Sequence, residues 1–156
     1  MAEIFGVSVK NIKIGTDHEG CAMYSADVWY KGKMLGRWSQ TYMCGPSEFD
    51  FDDCILTEVV EKFRASDLVD PVFKQIVDTD ILISKVIRLT EDERNFRKGL
   101  QKGFTSSIAQ ENGYRKGFWA TSTDKEQIAG FKNYKDLTAQ AQKVNIYTSL
   151  KDFKVS

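Results

Sequence analysis

The spacing of hydrophobic and polar residues changes along this chain, and each change marks an element. From Ile4 to Gly15, Val7 and Val9 alternate with polar neighbours, and Ile12 and Ile14 resume the alternation after Lys10-Asn11. A period of two is that of a half-buried strand, and the change of parity predicts a bulge at the lysine and asparagine. Thr16-Asp17-His18-Glu19-Gly20 has turn composition. The stretch Gly20 to Tyr42 then reads as a β-hairpin, with two strand-like runs flanking Lys31-Gly32-Lys33, a turn whose glycine can take a positive φ. In its first arm Ala22, Tyr24, Ala26, Val28 and Tyr30 share one face, and Cys21, Met23, Ser25, Asp27 and Trp29 the other. The small residues of the first face predict a closely packed helix, and Asp27 predicts that the second is partly wet. Three sequential strands with short loops make an antiparallel meander with one face to cover.

Past the glycine- and proline-containing loop Met43 to Glu48, Phe49 and Phe51 alternate with Asp50 and Asp52 as a brief extended segment. The period then becomes helical. Ile55, Leu56, Val59, Val60 and Phe63 form a stripe, with Asp52 or Asp53 as N-cap and an end near Arg64. Ser66-Asp67 opens a second helical segment, with Pro71 in its first turn and Val72, Phe73, Ile76 and Val77 as its apolar face. Ile81 to Ile87 is β-branched enough for a buried strand, but its flanks favour helix, and a helix is expected there. Thr90 and Glu93 have the spacing of a capping box, predicting a helix start with Phe96 and Leu100 on one face.

Beyond it, Thr105 to Gly113 reads as an irregular connection and Tyr114 to Thr121 as a strand. A short helix is expected at Lys125 to Ala129, a last strand around Val144, Ile146 and Tyr147, and a tail from Lys151 to Ser156. The expectation is a single α+β domain over residues 1–156. Its N-terminal three-stranded antiparallel meander is extended by C-terminal strands, with helices packed mainly on one face.

Composition narrows the function classes. Lys plus Arg and Asp plus Glu both number 22, so no global field attracts nucleic acid or an anionic membrane, and any such binding needs a local patch. Three cysteines without a regular framework fit reduced thiols in the cytoplasm. No segment has the apolar length of a membrane span, and the N-terminus lacks a signal-peptide pattern.

His18, Cys21, Cys44 and Cys54 would suit zinc if the fold gathered them, but only His18 and Cys21 form a tight pair. His18 otherwise reads as a turn residue, and the cysteines as small hydrophobes. Asp50, Asp52 and Asp53 offer oxygen ligands for a divalent cation, the basis of a small metal-dependent enzyme using 48–58, yet the same residues would start a helix and solvate a loop. Arg94, Arg97, Lys98, Lys102, Arg115 and Lys116, with Trp119, interleave cations and rings across 88–116 as single-strand nucleic-acid binders do, although a strand tryptophan is more often core. Neither a phosphate-binding loop nor a nucleophile elbow is present, and no cofactor is expected.

The set Gly20, Ala22, Ser25, Ala26, Asp27, Tyr30, Gly32, Lys33 and Gly36 resembles the opening hairpin of small bacterial and mobile-element proteins of unassigned function. The resemblance implies a bacterial or phage cytosol and no catalytic residue. The sequence reading is therefore a non-enzymatic intracellular accessory or inhibitor protein that binds another protein, with self-association as a further option and no membrane partner. Trp29, Trp38, Tyr42, Glu48 and Asp50 are the expected contact residues, since large aromatics beside charge favour interface centres. The competing role for each ring is the core face of the sheet.

Overall fold

In a computed structural model of the chain, residues 1–40, 47–112, 115–121 and 143–156 are described. The strands in chain order are β1 (Glu3–Ile4), β2 (Val7–Thr16), β3 (Ala22–Tyr30), β4 (Lys33–Gln40), β5 (Ser47–Phe49), β6 (Ser106–Asn112), β7 (Arg115–Thr121), β8 (Lys143–Tyr147) and β9 (Lys154–Val155). The helices are α1 (Thr57–Ala65) and α2 (Thr79–Gln101), with 3-10 segments at Asp53–Leu56, Pro71–Ile76 and Leu150–Phe153. Contacts gather the chain into two units, Met1–Thr90 with Lys154–Ser156, and Glu91–Phe153.

The first unit holds a sheet of six strands in the order β5-β4-β3-β2-β1-β9. The expected meander is its centre, with β2, β3 and β4 antiparallel in sequence. Two tight turns set the registers. Lys31 and Gly32 take φ of 48° and 79° between the paired residues Tyr30 and Lys33, and Phe5-Gly6 repeats this with 48° and 86° between Ile4 and Val7. Two consecutive positive φ angles match the right-handed twist of the flanking strands. The expected bulge is present between Lys10 and Lys13, with Asn11 at φ 51°.

Alternation decides what lies beneath the sheet. Val7, Val9, Ala26, Val28 and Trp38 are buried on one face, against Val59, Val60 and Phe63 of α1 and Leu82, Ile83, Val86 and Ile87 of α2. Helical spacing puts each of those helix sets on a single stripe, and fully burying a side chain of this size contributes about 1.5–3 kcal/mol. Ala26 is wholly buried, as its small size predicted. Asp52 caps the first helical turn, its carboxylate accepting from the Cys54 amide at 3.0 Å.

The second unit has a three-stranded antiparallel sheet in the order β7-β6-β8. Its core stacks Tyr147 on Phe153 at 4.3 Å between ring centroids, with Phe96 of α2 5.5 Å from Phe153. The Tyr147 hydroxyl donates to Asp92 at 2.8 Å. A Cβ at Gly99 would stand 3.2 Å from the Ala120 Cβ, so this glycine lets helix and strand approach.

The α+β class with an antiparallel meander is found, and several details of the reading change. Residues 81–87 are helical, within α2. Thr90 does not begin a helix: it lies inside α2, and its hydroxyl donates to the Val86 carbonyl one turn earlier. Within the stretch expected to be irregular, Ser106–Asn112 is strand β6, whose Ser-Ser-Ile-Ala-Gln-Glu-Asn composition is weakly strand-forming and is stabilised by pairing on both sides. Of the C-terminal strands, β9 is the one that extends the first sheet, parallel to β1. The expected tail is ordered, with Phe153 fully buried. The short helix expected at 125–129 lies outside the described residues. Among the described residues, no helix is long and apolar enough to cross a membrane.

Candidate functional site

The feature of the first unit that packing leaves unexplained is the 3-10 segment Pro71–Ile76. Asp70 caps it by accepting from the Val72 amide at 3.0 Å, and Pro71 occupies the first position, where the missing N–H costs nothing. Asp78 begins α2 shortly afterwards, its carboxylate accepting from the Ile81 amide at 2.9 Å. Between two caps so close together only a short segment fits. With three residues per turn, Phe73 aligns with Ile76, and Val72 with Gln75. Val72 is 81% exposed, Phe73 55% and Ile76 63%. Val77, the next residue, is the one that enters the core. The sequence placed all four on one apolar face. The structure buries Val77 and leaves the other three in water.

Beside these side chains lies a cleft of about 410 Å³ lined by Glu61, Arg64 and Ala65 of α1 and by Lys74 and Gln75. Arg64 is anchored: Nη1 donates to Glu61 at 2.6 Å and Nη2 to the Val77 carbonyl at 2.7 Å, while Nε is buried without a partner. Glu61 is thereby matched in charge, whereas the Lys74 ammonium pairs with no acidic group among the described residues. None of the three exposed apolar side chains lines that cleft, and the carboxylates of Asp70 and Asp78 stand at the two ends of the segment that carries them.

The residues expected from sequence separate. Trp38 is 1% exposed, and its indole Nε1 donates to Asp80 at 2.6 Å, so it is a core residue rather than a surface contact. Trp29 is half-buried on the opposite face, with the Lys10 ammonium 3.8 Å from its ring centroid and its own Nε1 buried without a partner. That face is partly wet as expected: Asn11 donates to Asp27 at 2.6 Å, and Arg37 to the Ser25 hydroxyl at 3.1 Å. Register places Glu48, exposed on β5 opposite Ser39, on the same face as Trp29. Asp50 is exposed but engaged, its carboxylate accepting the Arg37 amide and so blunting the end of the sheet edge. Tyr42 lies outside the described residues.

Among the described residues Asp52, Asp53 and Cys54 come within 4.8 Å of one another, all exposed. The hydrogen bond and charge of Asp52, with the charge of Asp53, push the Cys54 thiol pKa up, so a thiolate ligand is disfavoured there. Asp52 already serves as a cap, and Asp50 is not part of this group. His18 sits in an exposed turn 3.8 Å from Glu19, and with Cys21 it joins no third ligand among the described residues. Cys44 lies outside them.

Of the basic set, Arg94, Lys98 and Lys102 recur at helical spacing along and just past the end of α2, all exposed. Arg97 is also exposed but gives two hydrogen bonds to Glu93, at 2.9 and 2.7 Å. β7 carries Arg115, Lys116 and Trp119, whose side chains lie outside the described part of the structure. Comparison with protein-family models, curated proteins and solved structures finds no match to the chain.

Proposed function

We propose that this is a non-enzymatic accessory protein that acts by binding another protein, with Val72, Phe73 and Ile76 at the centre of its contact surface. The observation that carries this reading is the exposure of three large apolar side chains on one six-residue segment. Single exposed hydrophobics are ordinary, but three within one six-residue segment, two of them aligned by its three-residue turn, are a concentration of the kind that marks interaction sites. Phe73, the one ring among the three, is the side chain of the size that anchor residues have. The test is capture from nuclease-treated bacterial lysate with wild-type protein and with Phe73→Asp, both verified as folded. A protein retained by the first and lost by the second supports the reading, and identical retention by both removes it.

A second reading rests on the stripe Arg94, Lys98 and Lys102, which would track a nucleic-acid backbone. Each phosphate contact steepens the salt dependence of binding. Retention on single-stranded DNA that falls with salt and with Lys98→Glu would favour it.

A further inference from the structure

Resting on the protein-binding reading and going beyond it, we infer that in the isolated protein Val72, Phe73 and Ile76 are covered by a second copy of this chain, through the last turn of its α2. That turn also gathers exposed apolar side chains. Gly103 takes φ 88°, its amide donates to the Leu100 carbonyl at 3.0 Å, and the Phe104 amide donates to the Gly99 carbonyl at 3.1 Å. These are the two bonds of a Schellman ending, which folds the chain back on its helix. The Phe104 Cβ thereby comes 4.0 Å from where a Cβ of Gly99 would stand, and Leu100 and Phe104 are left 41% and 37% exposed.

Charge selects the pairing. Residues 66–78 carry Asp67, Asp70 and Asp78 against Lys74 alone. Asp70 and Asp78 each cap through one oxygen, which leaves their negative charge in place. Residues 94–104 carry Arg94, Arg97, Lys98 and Lys102 and no acidic residue, with Arg97 engaged by Glu93. An apolar segment with acidic flanks and an apolar turn with basic flanks are complementary, and every copy brings both. Both are exposed, so neither is covered within its own chain. Because the two surfaces differ, the contact is head-to-tail, and each copy keeps one of them for a further copy. A different protein that docks on Phe73 then competes with this self-association.

The experiment is sedimentation velocity of the nuclease-treated, full-length protein over a wide concentration range, at low and at high salt. The expected result is a mass that rises with concentration, and rises less at high salt, where exposed charges are screened. Phe73→Asp, and the double variant Lys98→Glu with Lys102→Glu, should each weaken association about tenfold or more. All three positions are exposed, and circular dichroism checks that both variants fold. Mixed at a concentration where each alone is a monomer, the two variants should form a one-to-one complex, since the first keeps the basic turn and the second the apolar segment. A monomer throughout the range overturns the second copy as occupant, while lysate capture that depends on Phe73 still decides the protein-binding reading. Association indifferent to Lys98→Glu with Lys102→Glu, or no complex in the mixture, overturns the head-to-tail contact.

Discussion

The indole nitrogen of Trp38 donates a 2.6 Å hydrogen bond to the carboxylate of Asp80, joining the middle of β4 to the first turn of α2. The two residues are far apart in sequence, so this bond holds the helix against the sheet that it covers. An acidic residue in the first turn also complements the helix dipole. Trp38→Phe and Asp80→Ala should each destabilise the protein by about 1–3 kcal/mol, the range for losing a hydrogen bond to a charged group. Because they share one interaction, the double variant should lose less than the sum. Urea unfolding of the four proteins measures this, and strict additivity would mean that the bond contributes nothing.

Gly36 faces Val28 at the second bulge of the meander, where β5 and the chain beyond it crowd close. A Cβ at this position would collide with the Asp50 carboxylate and sit 3.1 Å from the Phe51 Cβ. Gly36→Ala should therefore cost about 1–3 kcal/mol, as overpacking does elsewhere. Gly32→Ala meets no neighbour within 4 Å but must hold φ at 79°. Comparing the two by thermal melts separates crowding from backbone strain.

Glu93 is buried within α2, which disfavours its charge, yet hydrogen bonds from Arg97 are among the contributions that bring its pKa below the ordinary 4.5. A carboxyl held lower in the folded state than in the unfolded one stabilises the fold above the unfolded value, and that stability is lost as pH falls through the folded value. Glu93→Gln should accordingly be less stable than wild type at pH 7, with the gap narrowing towards pH 3. Urea titrations at both pH values check this.

Cys54 is exposed, but Asp52 and Asp53 raise its thiol pKa. At pH 8 it should react with iodoacetamide more slowly than an unperturbed thiol, since the thiolate is the nucleophile. Asp52→Asn should speed the reaction. Mass spectrometry of the peptide carrying Cys54 follows the rate.

The local pattern carried much of this fold. Alternation in 22–30 placed Ala26 and Val28 in the core and Asp27 on the wetter face, and the parity change at Lys10-Asn11 located the bulge. What the pattern missed depends on distant partners. β6 is strand because β7 and β8 pair with it, and nothing local in Ser106 to Asn112 encodes that. Thr90 and Glu93 match a capping box in spacing, but the stripe from Leu82 to Phe96 carries the helix through them. The patch was hidden for the opposite reason. Val72, Phe73 and Ile76 have core spacing, and periodicity says nothing about whether a partner element exists to cover them. The signal that would have exposed it is the pair of caps at Asp70 and Asp78, too close together for a helix long enough to bury that face. Trp38 and Trp29 are both strand tryptophans, and only the register assigns them to opposite faces.

The central claim, that this surface docks another protein, is tested most directly by placing a photo-crosslinking amino acid at position 73 and, as a control, at Ile14, another apolar residue, 58% exposed, on β2. After irradiation in bacterial lysate, the account predicts a discrete crosslinked adduct from position 73 that is weak or missing from position 14. No adduct at 73, or equal adducts from both positions, would contradict it.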